Sequence, residues 1–298
     1  MKNTPLPDDV GRIRAFNRTL TRRLGVLNER YLGRDRPYVE SRLLFEIGAD
    51  GATARELRQR LGMDSGFLSR LLRTLEARNL ATTQPSAADA RVKAVRLTRS
   101  GLAELRKIDA LSDKLAQSML DSLDESQSQR LVAAMAEVER LLRASSVEIA
   151  PEEPDGAGAR HCLDRYFAEL DARFPGGFDR SHGHSSDTSD YRAPGGCLLV
   201  ARLFGEPIGC GALRTLARGV GEIKRMWVSP DARGLGLGRR LLCELEQAAR
   251  KHRMRTLRLD SNGTLAEALR LYRSAGYREI ERFNDNPYAQ HWFEKALR

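Results

Sequence analysis

The sequence predicts two domains, a mainly α winged helix-turn-helix domain followed by an α/β domain with a mixed sheet. Three observations carry this. Helical periodicity, a capping box and a strand-turn-strand tip occupy residues 1–146, whereas strand patterns alternate with helices over 147–298. Between them "RASSVEIAPEEPDGAGAR" (143–160) abandons the helical period for Ser, Pro, Gly and Ala, which puts the boundary near residue 146. At 298 residues the chain is about twice a typical domain.

Composition narrows the classes. No apolar run approaches the roughly 20 residues of a membrane span, and the start, "MKNTPLPDDVGRIRAFNRTL", lacks the apolar stretch of a secretion signal. Cys162, Cys197, Cys210 and Cys243 form no CxxC pair. Neither a metal site nor dithiol chemistry is therefore expected, and the thiols read as those of a reduced, cytoplasmic protein. The net charge is +10, and residues 51–100 hold ten Lys/Arg against four Asp/Glu. That excess coincides with a helix-turn-helix pattern, which favours a polyanionic partner.

Val10, Ile13, Phe16, Leu20, Leu24 and Leu27 recur at helical spacing over 10–31, and 39–48 forms a second helix ending at Gly48. "GATARELRQRLG" pairs Thr53 with Glu56 as a capping box, opening a short helix with Leu57 and Leu61 inward. Asp64 caps the next helix, whose apolar stripe is Leu68, Leu71, Leu72 and Leu75. Ser65, Ser69, Arg70 and Arg73 lie away from that stripe, on a face that can enter a major groove. A short strand, a polar tip carrying Asp89, Arg91 and Lys93, and a second strand at 94–97 make a wing. Two long helices follow at 99–122 and 126–144.

These elements, with "MDSGFLSRLLRTLE" at the recognition helix and "DARVKAVRLTRSG" at the wing, resemble the MarR family of winged-helix regulators over about residues 8–145. The resemblance implies double-stranded DNA as a partner. It also implies a homodimer built by the first helix and the helices after the wing. Ser65, Ser69, Arg70 and Arg73 are the candidate groove contacts, with base and phosphate contact both open. Arg91, oriented by Asp89, and Lys93 are the candidates at the wing, where arginine can enter a minor groove.

In the second half "GGCLLVARLFGEPIGCGAL" gives strands at 197–203 and 207–213, preceded by a helix that Asp155 can cap. A third strand, "GEIKRMWVSP", runs into "SPDARGLGLGRR" (229–240), then a helix with Leu241, Leu242, Leu245, Ala248 and Ala249 on one face. "TLRLD", a helix in "TLAEALRLYRSAG" and a strand pair around "YREIERF" and "HWFEKAL" complete the alternation. A loop from strand end to helix start gathers unpaired amides at the positive end of a helix dipole. Glycine lets that backbone approach a phosphate. Arg233-x-x-Gly236-x-Gly238 therefore reads as a cradle for a pyrophosphate. It has neither the Gly-Lys-Ser/Thr ending of a Walker loop nor the Gly-x-Gly-x-x-Gly dinucleotide spacing.

"EIKRMWVSPDARGLGLGRRLLCELEQAAR" followed by "LRLDSNGTLAEALRLYRSAGY" resembles the GNAT acetyltransferases, with strongest likeness over 220–280. The resemblance implies acetyl-CoA as co-substrate, its pyrophosphate held by amides of Arg233, Gly234, Leu235, Gly236, Leu237, Gly238 and Arg239. It implies that Met226, Trp227 and Val228 run beside the pantetheine, with the Val228 amide on the thioester carbonyl. It places Tyr272 near the sulfur as a proton donor and Asn262 on the pantetheine arm or a water. Glu222, six residues before Val228 and so on its face at period two, is the candidate base, acting directly or through a water.

His182 and His184, near Asp187, read as a polar loop rather than a metal site. Residues 173–179 and 284–288 are candidate borders of the acceptor pocket. The expected activity is acetyl transfer to an amine, a small molecule ahead of a protein lysine, by a DNA-binding regulator. Two other readings keep only one role: a regulator whose second half senses acyl-CoA, or an enzyme whose winged half only dimerises.

Overall fold

The computed structural model describes residues 7–85, 93–179 and 188–297. The chain divides into two compact units, Met1–Ala133 and Ala134–Arg298. In the first, α1 (Pro7–Leu24), α2 (Tyr38–Ile47), β1 (Ala52–Thr53), α3 (Ala54–Leu61), α4 (Ser65–Ala77), β2 (Ala81–Pro85), β3 (Lys93–Leu97) and α5 (Arg99–Leu120) succeed one another. The division between units falls within α6 (Glu125–Ser145). The first helix stops at Leu24 instead of continuing to 31, because Gly25 at φ 66 turns the chain out of the helix.

The expected caps form. Glu56 N–H donates to Thr53 Oγ1 at 3.2 Å, and Thr53 N–H donates to the Glu56 carboxylate at 2.7 Å. Asp64 Oδ1 accepts the Phe67 N–H at 2.9 Å. Beneath these helix ends Leu57, Leu68, Leu71, Leu72 and Leu75 share a core with Leu43, Leu44 and Val95. The three strands pair antiparallel in the order β1-β3-β2. "LTRSG" has a steric origin. Thr98 Oγ1 accepts the Gly101 N–H at 3.0 Å and donates to the Asn79 carbonyl at 2.7 Å. Gly101 then lies so near Leu80 that a Cβ there would fall 1.9 Å from its carbonyl oxygen.

The second unit is built on seven strands: β4 (Val147–Pro151), β5 (Gly196–Leu203), β6 (Glu206–Ala217), β7 (Val220–Val228), β8 (Thr256–Ser261), β9 (Arg278–Ile280) and β10 (His291–Ala296). Their order is β4-β5-β6-β7-β8-β10-β9, antiparallel except for β7 with β8. Helix α7 (Ala157–Arg173) covers one face, and α8 (Leu237–Lys251) with α9 (Ala266–Ser274) covers the other. Strand alternation feeds both cores: Leu198 and Val200 join α7, while Leu199, Ala201 and Leu203 join α8. The start of α7 differs from expectation. Gly156 is the N-cap and Glu152 Oε1 accepts from the amides of Gly158 (2.9 Å) and Ala159 (3.2 Å), while Asp155 pairs with Arg192 at 3.1 Å.

One irregularity shapes the centre of the sheet. The register of β6 and β7 shifts between Cys210↔Trp227 and Ala212↔Lys224, and Arg225 there takes φ 56. This is a β-bulge, one extra residue on β7. It inverts the alternation: Ile223 faces the α8 core and Trp227 the α7 core, although they are four residues apart. The parallel pairing of β7 and β8 runs only from Val220↔Thr256 to Glu222↔Arg258. No described helix is long and apolar enough to cross a membrane.

The close approach at Leu80 gives a test of the first unit. Gly101→Ala should destabilise it by about 3 kcal/mol, since neither the Leu80 backbone nor α5 can yield freely. Thermal unfolding followed by circular dichroism measures the effect.

Candidate functional site

Where β7 and β8 stop pairing, two adjoining cavities open, one of about 520 Å³ and one of about 290 Å³. Tyr166, Met226 and Tyr272 line both. The larger is walled by Trp227, Val228 and the glycine loop, the smaller by residues following β8 and α7.

The loop owes its shape to glycine. Gly234 and Gly236 take φ 80 and 70, a region costly to other residues, and neither has a neighbour within 4 Å of where a Cβ would stand. Gly236 is the N-cap of α8 with no side-chain cap, so the first-turn amides of Leu237, Gly238 and Arg239 are left for an external acceptor. The dipole of the helix adds positive potential there. Arg233, Gly234, Gly236, Leu237, Gly238 and Arg239 all border the larger cavity, while Leu235 packs its side chain against the core.

Arginines brace the loop from outside. Arg140 Nη1 donates to the Gly234 carbonyl at 2.6 Å, and Arg240 donates to the carbonyls of Ala144 (2.6 Å) and Val147 (2.8 Å). Arg239 Nη2 reaches Ser274 Oγ at 2.7 Å. An open helix end, two unobstructed glycines and a cleft of this volume fit the diphosphate and arm of a coenzyme A.

The bulge aims the end of β7. Ser229 N–H donates to the Ile208 carbonyl at 2.8 Å, so antiparallel alternation turns the Val228 N–H and C=O away from β6 and toward the gap. Tyr272 is 5% exposed, and burial holds its phenol well above the usual range, so it stays protonated at neutral pH.

Two expected site residues stand elsewhere. Because the bulge lies between them, Glu222 and Val228 occupy opposite faces of β7, and the period-two argument for Glu222 as base fails. Glu222 is fully buried and borders neither cavity. Its oxygens are taken by Arg214 (2.6 Å), Asn284 (3.2 Å) and Lys224 (3.4 Å). Asn262 borders the smaller cavity, not the larger one. Its amide donates to the Tyr288 carbonyl at 2.7 Å, and its oxygen accepts from Thr264 N–H at 2.9 Å.

The smaller cavity has an aromatic wall and a charged one. Phe174, Phe178 and Tyr288 stand with ring centres 4.7 to 5.9 Å apart, so 173–179 and 284–288 meet at this cavity. Opposite, Asp260 accepts from Lys224 (2.7 Å), Asn284 (2.6 Å) and Asn286 (2.9 Å). Burial pushes the Asp260 carboxyl up, but Lys224 and the two amides outweigh it and hold it below the usual carboxylate range. Asp260 is thus an anchor rather than a proton acceptor. Burial likewise opposes the Lys224 charge, and Asp260 with Glu222 more than restores it.

The acetyltransferase (GNAT) family matches residues 163–277. The IAA acetyltransferase of Azospirillum brasilense is 37% identical over 116 residues, covering 39% of this chain and 71% of that protein. The chain belongs to the GNAT acetyltransferase family. An uncharacterized N-acetyltransferase of Schizosaccharomyces pombe is 39% identical over 99 residues, 33% of this chain and 61% of that one. Among solved structures, a Klebsiella pneumoniae protein described as an acyl-CoA N-acyltransferase is 29% identical with a TM-score of 0.43, covering 51% of this chain and 97% of its own. The MarR family matches residues 34–92. The chain thus joins a MarR-family region to a GNAT acetyltransferase domain, a family whose acyl donor is acetyl-CoA.

Four of the candidate DNA-contact residues of the MarR region lie on α4. Ser65, Ser69, Arg70 and Arg73 are exposed, and Lys93 is exposed at the start of β3. The Arg70 guanidinium lies 5.7 Å from the Phe67 ring. Arg91 and Asp89 lie outside the described residues, as do His182, His184 and Asp187. In the GNAT domain, sequence reasoning missed Tyr166, Glu169 and Arg173 on α7, all bordering the coenzyme cleft. No local motif marks Glu169, because its partners Trp227 and Arg233 lie 58 and 64 residues away.

The two glycines of the GNAT loop should respond differently. Gly236→Ala forces a side chain to φ 70 at about 1–2 kcal/mol, which weakens acetyl-CoA binding by about 10-fold. Gly238→Ala needs no positive φ and meets only Leu271 Cδ2 at 3.3 Å, so its affinity should stay within about threefold. Calorimetric titration distinguishes them.

Proposed function

We propose that this protein is a DNA-binding regulator that also moves an acetyl group from acetyl-CoA to a small amine. The observation that carries the enzymatic half is the Val228 N–H turned into the gap beside the uncapped start of α8. Acetyl-CoA supplies the activated acyl group. The amides of residues 233–239 hold its diphosphate, and the backbone of Met226, Trp227 and Val228 lies along its arm. The Val228 N–H donates to the carbonyl oxygen, where negative charge develops during attack. Tyr272, bordering both cavities, keeps a proton at its phenol oxygen for the departing sulfur. Of the two protons that an acceptor ammonium sheds, one replaces the proton Tyr272 gives to the sulfur and the other leaves to solvent.

A cavity of about 290 Å³ sits at the lower end of small-molecule pockets, which supports a small amine ahead of a protein lysine. Its aromatic wall gives the acceptor an apolar surface, and Asp260, ion-paired with Lys224, gives it a polar edge. Replacing Tyr272 with Phe should lower kcat by about 10²-fold and leave the KM for acetyl-CoA nearly unchanged. Thiol release across an amine panel measures both.

The exposed Ser/Arg face of α4 supports binding to double-stranded DNA. Self-association would cover the apolar side chains that α1 and α6 expose: Ile13 is 59% exposed and Leu142 61%. Arg70→Ala and Arg73→Ala should each weaken binding to the upstream promoter. Where the arginine neutralises a phosphate, its removal lowers the salt slope by about 0.9. Fluorescence anisotropy over a salt series reads both effects.

A further inference from the structure

Glu169 on α7 makes more directed contacts than any motif foretells. Its two oxygens accept from Arg233 Nη2 at 2.6 and 2.7 Å, one accepts Trp227 Nε1–H at 2.9 Å, and Arg173 Nη2 lies 2.9 Å away. Arg233 Nε in turn donates to the Val228 carbonyl at 3.3 Å. One carboxylate therefore grips the residue before Val228 by its indole and holds the guanidinium that grips Val228 by its oxygen. These two holds flank the peptide whose N–H faces the gap.

Electrostatics sharpen the point. A carboxylate bordering a cleft for a polyanion opposes binding, and here Arg173 and Arg233 offset it. Affinity for the coenzyme gives no reason for an acid at this position; direction does. Displacing a catalytic donor by about 1 Å can cost on the order of 10²-fold in rate.

We propose that Glu169 is a positioning residue for acyl transfer. By holding Trp227 and Arg233 together it sets the direction of the Val228 N–H and the first residue of the anion loop. This rests on Val228 being the donor to the thioester oxygen.

The test uses the full chain with acetyl-CoA labelled with ¹³C at its carbonyl. In the parent protein the bound carbonyl resonance should move downfield of the free value. In Glu169→Ala that displacement should largely vanish, while calorimetric affinity stays within about threefold or rises as Arg233 is released. Glu169→Gln keeps an acceptor for the indole and should give an intermediate displacement. In a Trp292→Phe background the emission of Trp227 should shift in Glu169→Ala without ligand. If the parent binds acetyl-CoA with a displaced resonance and the variants keep the same displacement, Glu169 is only structural and the proposal is overturned. Should Glu169→Ala not fold, the Gln variant decides alone: a parental resonance refutes. A parent that binds no acetyl-CoA, or shows no displacement, instead removes the donor role of Val228 and the proposal with it.

Discussion

The bulge at Arg225 is the constraint on which the catalytic half depends. One extra residue, held at φ 56, reverses which face each later side chain of β7 takes. Its cost, on the order of 1–2 kcal/mol for a non-glycine residue in this region, is offset by surroundings. The Arg225 guanidinium lies 5.1 to 5.9 Å from the rings of Phe167, Tyr166 and Tyr191, within range for cation–π attraction. Downstream of the bulge, β7 no longer pairs with β8, the strand end turns an amide outward, and a gap forms where the two cavities adjoin.

Helix ends show how the two halves divide structural from functional work. Thr53 and Asp64 satisfy the first amides of α3 and α4 with their own side chains, as a helix meant only to stand must. Helix α7 borrows Glu152 for the same purpose. Helix α8 has no such partner: Gly236 offers no side chain, and the helix start is left open. Helices α2 and α9 likewise start without a side-chain cap, and at α8 the open amides border the larger cavity.

Much of this was legible in the sequence because it is local. The capping box, the Leu stripe of α4, the uncapped glycine loop and the order of strands and helices all arise from residues within a turn or two of one another. What was missed is not local. Period-two counting put Glu222 beside Val228, since a bulge leaves no trace in residue types when its αL position is an arginine. Asn262 looked free for a ligand because its partner, the carbonyl of Tyr288, lies 26 residues on. Asp155 looked like a cap because its attraction to Arg192 cannot be read from neighbours.

The braces on the glycine loop carry a consequence for where the enzyme begins. Composition changes near residue 146, yet Arg140 supports the Gly234 carbonyl and Arg240 is anchored on Ala144. A fragment starting at Val147 would discard the buttress and keep the arch. The last turns of α6 thus lie in the second unit, which begins at Ala134, and touch the loop and the helix that follows it.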